Sequence, residues 1–397
     1  MEYLVACNWD FELINKIDYP EVSSVFAGLP DTIISSGRPS QQIRCISEPD
    51  IRKTIKLVHE KKWSFDFNVN SSCLANRELT SAGFKAIMKY LEWLVDLGVD
   101  AVTVANTNLI AMVKKNFPML RVNVSTFQKI AEVTQAQRFE DLGVDLIMLS
   151  EHVNRDFKVL RAIRKAVKCK LALIGNVGCV YDCPNAHTHA NSLAHTGARG
   201  EQSVLPDACM LYCFSKRLEK PEELVKIRFI RPEDVSYYEE LGIDVLKIID
   251  RSSTTDVLAE RVKAYSERSY DGNLLELLGQ MMDSKRSISR AKEIVIKNML
   301  KKPIPSSFRA GKNSRDFIGL FEHSLYDLVS LDNKRLPNGF IKGYEQRDCR
   351  ATNCETCGNC KTLAAESVRI LDEALLDATL AKTRQGLEDI RGGTLLG

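Results

Sequence analysis

Three times along the chain an acidic residue followed by Leu-Gly leads through a branched apolar residue and Asp into a short apolar run: Asp96–Val104, Asp141–Leu149 and Glu240–Ile248. Gly98, Gly143 and Gly242 stand where a helix would end, a position that favours left-handed backbone. Each run is mostly apolar at successive positions, as a parallel strand covered on both faces requires. The same reading predicts strands at Tyr3–Ala6, Ser24–Leu29, Ser64–Asn70, Ala101–Asn106, Arg121–Thr126, Leu146–Glu151, Leu171–Asn176, Lys226–Arg231 and Val245–Asp250. Helical patterns lie between most of them. Ser47 reads as the N-cap of a helix over Glu48–Lys61, and Glu78–Leu97 carries a long apolar stripe.

Eight or nine strands alternating with helices predict a mixed α/β fold, a (β/α)8 TIM-barrel-like core. An open doubly wound sheet is the alternative, but no G-x-G-x-x-G follows any strand. From Ala259 onward the pattern turns helical, over Ala259–Glu267, Leu274–Met282, Ser287–Lys301 and Leu363–Gln385. Lys301–Ser307, with two prolines and two serines, reads as a linker. The expected division is a barrel domain over 1–270, holding a mid-chain cysteine site, and a cysteine-bearing helical region over 271–397.

In the barrel reading, reactive groups gather where strands end at their carboxyl side. Those positions hold Asn70, Asn106, Ser125, Gln128, Glu151, His152, Asn176, Arg231, Glu233 and Arg251. Helix N-caps are polar too and account for about half of such a row.

Charge narrows the partners. With 55 basic and 52 acidic side chains the formal net charge is +3, so no overall field selects nucleic acid or a membrane surface. No run of about 18 apolar residues suggests a membrane span. Residues 1–30 carry Asp10, Glu12, Lys16, Asp18 and Glu21, which interrupt any leader-like apolar stretch. Twelve cysteines in a chain of 397 residues therefore suggest a reducing cytoplasm with thiols kept for metal.

The cysteines are concentrated. Cys349, Cys354, Cys357 and Cys360 form C-x4-C-x2-C-x2-C, too dense for four sulfurs to pair as unstrained disulfides. Thiolates from one short loop suit a tetrahedral zinc ion or a cubane iron–sulfur cluster. A second group, Cys179 and Cys183 then Cys209 and Cys213, consists of two C-x3-C pairs able to close another four-thiolate site. On a helix such a pair shares one face. His187 and His189, beside the first pair, are candidate ligands or proton carriers.

Four segments also carry a family resemblance. They are Phe117–Gln128, with Ser125-Thr-Phe-Gln128; Leu142–Glu151; Gly175–Cys183; and Ile230–Asp234 followed by Leu241–Arg251. Together they resemble peptidase family U32, the collagenase-like proteases, over about residues 60–275. Phe127 stands inserted in the family's Ser-Thr-Gln, and Val177-Gly178 replaces its usual His-Gly. The resemblance implies a barrel and, in several relatives, a 4Fe–4S cluster on four cysteines. Some relatives are named peptidases; others take part in oxygen-independent hydroxylation, with prephenate implied as oxygen source.

No G-x-S-x-G or H-E-x-x-H accompanies the likeness. The resulting expectation is an iron–sulfur enzyme of the oxygen-independent hydroxylase type. Cys179, Cys183, Cys209 and Cys213 would hold a 4Fe–4S cluster, and Cys349, Cys354, Cys357 and Cys360 a second cluster or zinc. His187 and His189 would handle protons, while Arg251 and then Arg231 would bind a carboxylate co-substrate through a planar guanidinium fork. An electron donor is implied as partner. The rival readings are a peptidase with structural metal and a non-catalytic electron-transfer scaffold.

Overall fold

The structure, a computed structural model, describes residues 1–198, 208–279 and 323–393. Eight strands are β1 (Glu2–Ala6), β2 (Val22–Ala27), β3 (Ser64–Val69), β4 (Ala101–Val104), β5 (Arg121–Val124), β6 (Leu146–Met148), β7 (Lys170–Ile174) and β8 (Val245–Ile248). They form one closed parallel barrel in chain order. It closes where β8 pairs with β1, Lys247 opposite Leu4. The expected barrel is therefore present, and the three repeated glycines take φ of +87°, +75° and +80° at the helix ends.

The ninth strand candidate, Lys226–Arg231, is not a strand. Pro221 opens a helix over Pro221–Lys226 with Glu222 and Glu223 in its first turn, so Lys226 is taken up helically. The remainder runs as irregular chain, in which the Ile230 N–H donates to the Gly175 carbonyl at 2.8 Å. Another difference lies in Leu363–Gln385. It is two helices, Asn359–Ser367 and Glu373–Arg391, separated by β10 (Val368–Ile370), which pairs antiparallel with β9 (Val329–Leu331). β-Branched Val368 and Ile370 favour the extended interruption. Within Leu274–Met282, Leu274–Glu276 is a 3-10 turn; Ser287–Lys301 and the linker Lys301–Ser307 lie outside the described residues.

The chain forms two compact units, neither continuous in sequence. One comprises Met1–Asn176, Ala186–Ser203 and Phe229–Ser269 and contains the barrel. The other comprises Val177–Asn185, Val204–Arg228 and Tyr270–Gly397. In this second unit the helix Glu373–Arg391 packs on Ala208–Glu219, and Asn359–Ser367 packs on Pro221–Lys226. Among the described residues no helix is long and apolar enough to cross a membrane.

Candidate active site and thiol cavity

The barrel interior is charged. Asp66 on β3 is buried and accepts hydrogen bonds from Thr103 Oγ1 on β4 at 2.6 Å and Asn123 Nδ2 on β5 at 3.1 Å. Lys247, the one charged residue of β8, is 7% exposed, and its ammonium lies 3.9 Å from the centroid of the Phe26 ring. The Arg251 guanidinium lies 6.0 Å from the same centroid. Arg251 Nη2 donates to the Ser36 carbonyl at 2.8 Å, whereas Nη1 is sealed from solvent with no hydrogen-bond partner. Ser36 Oγ and Asn70 Oδ1 are sealed and unpartnered in the same way. Gly28 makes room for this arrangement: a Cβ there would come within 2.5 Å of Arg251 Nη1.

Arg38 and Asp250 complete the cluster with an ion pair at 3.3 Å. Burial pushes Lys247 down to about 8; Asp66 opposes that shift, and Arg251 and Arg38 reinforce it. Burial and Arg38 likewise bring Arg251 down to about 9 against Asp250 and Asp66. Asp250 resists burial because Arg38 and the Ser252 N–H favour its carboxylate, and its pKa is lowered. Such a site disfavours further positive charge and favours an incoming anion.

A second charged group stands at the ends of β5 and β6. Glu151 is buried, pairs with Lys129, accepts from Thr126 Oγ1 at 3.1 Å and lies 3.7 Å from His152 Nε2. Burial alone would raise its carboxyl, but Lys129 and then His152 hold it at about 2. Other polar residues of the strand ends serve the backbone. Asn106 caps the helix Thr107–Asn116, Ser125 caps the turn Thr126–Gln128, and Asn176 bonds both backbone polar groups of Ile249.

The four candidate catalytic residues separate. Arg251 belongs to the charged barrel cluster. Arg231 is buried in an ion pair with Asp234 at 2.9 Å. His187 and His189 ride on the helix Ala186–Thr196, which is tied to the barrel unit by Ser35 Oγ–Leu193 O at 3.0 Å and Ser72 Oγ–Asn191 Oδ1 at 2.8 Å. His187 is exposed and His189 half-buried.

All eight candidate ligand cysteines fall in the second unit. Cys349, Cys354, Cys357 and Cys360 line one cavity of about 360 Å³, together with Tyr181, Lys226, Arg228 and Tyr344. Gly358 turns the backbone at φ +63° between the helical turn Cys354–Cys357 and Cys360. The Tyr344 hydroxyl lies 3.6 Å from Cys360 Sγ, and Arg228 stacks on Tyr181 at 3.7 Å. Burial pushes the Cys354 thiol up, Lys226 pulls it down, and Cys360 and Cys349 raise it further. In the other group, Cys209 and Cys213 share a face of Ala208–Glu219, while Cys179 and Cys183 sit in a loop. The Tyr212 phenol is raised by burial first, then by Cys183, with a smaller push from Cys213.

Among the described residues, no three His, Cys, Asp or Glu side chains converge closely enough to hold a metal ion as they stand. The C-terminal thiols instead surround a volume. That shape and the set of four thiols would fit a bulky cluster, beside which Arg228 and Lys226 would supply positive charge.

Comparison with known proteins defines the relationship. A family model described as peptidase family U32 matches residues 23–182. The uncharacterized protease MJ1657 of Methanocaldococcus jannaschii is 32% identical over 268 residues, covering 67% of this chain and 78% of that protein. The chain belongs to peptidase family U32. A solved structure, the U32 peptidase Mk0906, aligns at 20% identity with a TM-score of 0.49, over 63% of this chain and 93% of that one. The U32 match runs from β2 to the loop after β7 and ends at Asp182, just before Cys183, so β1 and β8 lie outside it. Family membership thus covers Ser125, Gln128 and Glu151, while the C-terminal thiol cavity lies outside the matched stretch.

Sequence patterns did not single out Arg38, Asp66 or Lys247 in this U32 barrel, nor Tyr181 and Arg228 in the cavity. One signal was present. In β3, Phe65, Phe67 and Val69 alternate with Asp66 and Asn68, and the polar set is as buried as the apolar one.

Proposed function

We propose that this U32 protein is an iron–sulfur-dependent enzyme that modifies its substrate by oxygen-independent hydroxylation, with a small carboxylate as co-substrate in the barrel. The observation that carries this reading is the unpartnered Arg251 Nη1 inside a cluster where cations outnumber carboxylates. A carboxylate there would accept the missing hydrogen bond and compensate the buried charge. Arg251 and Arg38 hold the carboxylate, and Gly28 keeps the guanidinium in place. His187 and His189 act as proton carriers. Arg231, already paired with Asp234, is the weaker anion ligand.

Cys349, Cys354, Cys357 and Cys360 hold one metal centre and Cys179, Cys183, Cys209 and Cys213 a second. A 4Fe–4S cluster at either position supplies one-electron transfer, and zinc at the C-terminal position would be structural. An external electron donor and the reducing cytoplasm complete the setting. The family's peptidase name is the competing assignment.

The test is anaerobic purification with iron, sulfide and zinc analysis, then calorimetry with prephenate on wild type and Arg251→Lys. Arg251→Lys keeps charge but loses the bidentate fork, so binding should weaken by ~1.5–3 kcal/mol. Metal-free active protein, or wild type that does not bind the carboxylate, would overturn the proposal. Hydrolysis of a peptide panel that survives Cys179→Ala would favour the peptidase.

A further inference from the structure

Lys247 has no structural partner equal to its charge. Its ammonium makes no hydrogen bond or ion pair with a described residue; its close neighbour is the face of Phe26. Asp66, the carboxylate that acts on it electrostatically, accepts from Thr103 and Asn123 through Oδ2, and its Oδ1 is sealed without a hydrogen bond from Lys247. A lysine placed only to neutralise Asp66 would be expected to contact it, because a buried pair is favourable only with close geometry. Lys247 also sits at the penultimate position of β8, near the barrel end where strands deliver reactive groups.

Its surroundings specify a ligand. Lys247 and Arg251 both lie within about 6 Å of the centre of the Phe26 ring. Arg38 pairs with Asp250 at 3.3 Å and also acts electrostatically on Lys247, and Arg261 acts on Asp250. An amine beside a guanidinium with a vacant donor matches a molecule with a carbonyl next to a carboxylate. That is a 2-oxo acid. We infer that Lys247 is a catalytic nucleophile that forms an imine with a 2-oxo acid whose carboxylate is gripped by Arg251 and Arg38.

The step balances without oxidant or reductant. The neutral amine's lone pair forms a C–N bond to the ketone carbon, and the C=O π pair moves to oxygen, which takes a proton. The nitrogen then gives up a proton, the hydroxyl oxygen takes a second proton, the nitrogen lone pair forms C=N, and the C–O bond breaks to release water, leaving a protonated imine. Hydrolysis reverses the sequence. Burial supports the chemistry by bringing the lysine to about 8, which leaves about a tenth of it neutral at pH 7. The resulting iminium would draw electrons from the neighbouring bonds and so activate the acid for loss of a proton or of carbon dioxide.

This inference rests on the reading of the barrel as a carboxylate site, and one experiment separates the two. Anaerobically purified full chain is incubated with pyruvate or phenylpyruvate and sodium cyanoborohydride, then analysed by intact mass and peptide mapping; calorimetry with the same acids runs in parallel. The expected result is one reduced adduct per chain, on the peptide carrying Lys247. It should be absent from Lys247→Met and Lys247→Arg, the latter keeping the charge if the former does not fold. Binding without a trapped adduct, or label spread over exposed lysines, overturns the imine and leaves the carboxylate site standing. Neither binding nor trapping overturns both.

Discussion

Replacing Lys247 by methionine should stabilise the barrel at neutral pH, and the size of the effect should depend on pH. In the unfolded chain the ammonium titrates near its ordinary value of 10.5, and in the barrel near 8. At about 1.4 kcal/mol per pH unit, that difference costs the fold ~3 kcal/mol. The sign follows from proton counting. Below pH 8 both states are protonated and the cost is fully present. Between 8 and 10.5 the unfolded chain holds a proton that the folded one has released, so stability rises with pH; above 10.5 the cost is gone. Lys247→Met removes the ammonium, so the variant should exceed wild type by up to ~3 kcal/mol at pH 7 and converge with it near pH 10.5. Loss of attraction to Asp66 trims the gain, although Thr103 and Asn123 still bond that carboxylate. Cys7, Cys169 and Tyr3 are all pushed up by burial and work in the opposite direction, so the difference between variant and wild type is the informative quantity. Urea titration followed by tryptophan fluorescence measures it, since Trp9, Trp63 and Trp93 all belong to the barrel unit. A variant less stable than wild type at pH 7, or a difference that does not change with pH, would refute the argument.

Glu151 gives the opposite pH signature: its pKa is lowered from 4.5 to about 2, so its contribution of ~3 kcal/mol is present above pH 4.5 and lost as pH falls through 2. Glu151→Gln should remove that acid-side slope in the same fluorescence assay; an unchanged slope would contradict the buried pair with Lys129. Replacing Cys354 and Cys357 together by serine should remove one metal centre and leave the other group's spectrum intact, as measured by metal analysis and Mössbauer spectroscopy on anaerobic protein. Retention of the full metal content would dissociate the C-terminal thiols from metal binding.

The barrel was legible because a parallel strand covered on both faces announces itself as an uninterrupted apolar run, as at Leu146–Met148 and Leu171–Ile174. Its charged interior was not. In Val-Leu-Lys-Ile a single lysine looks like a strand-edge residue, and its electrostatic neighbours arrive from β3, from the segment carrying Arg38 and from Arg251. No local window contains them together. Lys226–Arg231 failed as a strand because the helix begun at Pro221 runs through Lys226, a continuation that apolar content alone does not reveal. The thiol cavity was half legible: dense cysteines marked four of its lining residues, whereas Tyr181 and Arg228 come from distant segments that join them only on folding.

The interleaving of the two units has a consequence for biosynthesis. Tyr181, Lys226 and Arg228 leave the ribosome well before Cys349 to Cys360, with β8 made in between. The cavity therefore cannot be loaded before Cys360 has been made, and any metal delivery to it has to follow synthesis of the whole barrel. Cutting the gene after the barrel would also strand an aromatic–cationic wall without the thiols it faces. A barrel intended to stand alone has to lose Val177–Asn185 and Val204–Arg228 as well, by an internal deletion that rejoins the chain around the helix Ala186–Thr196.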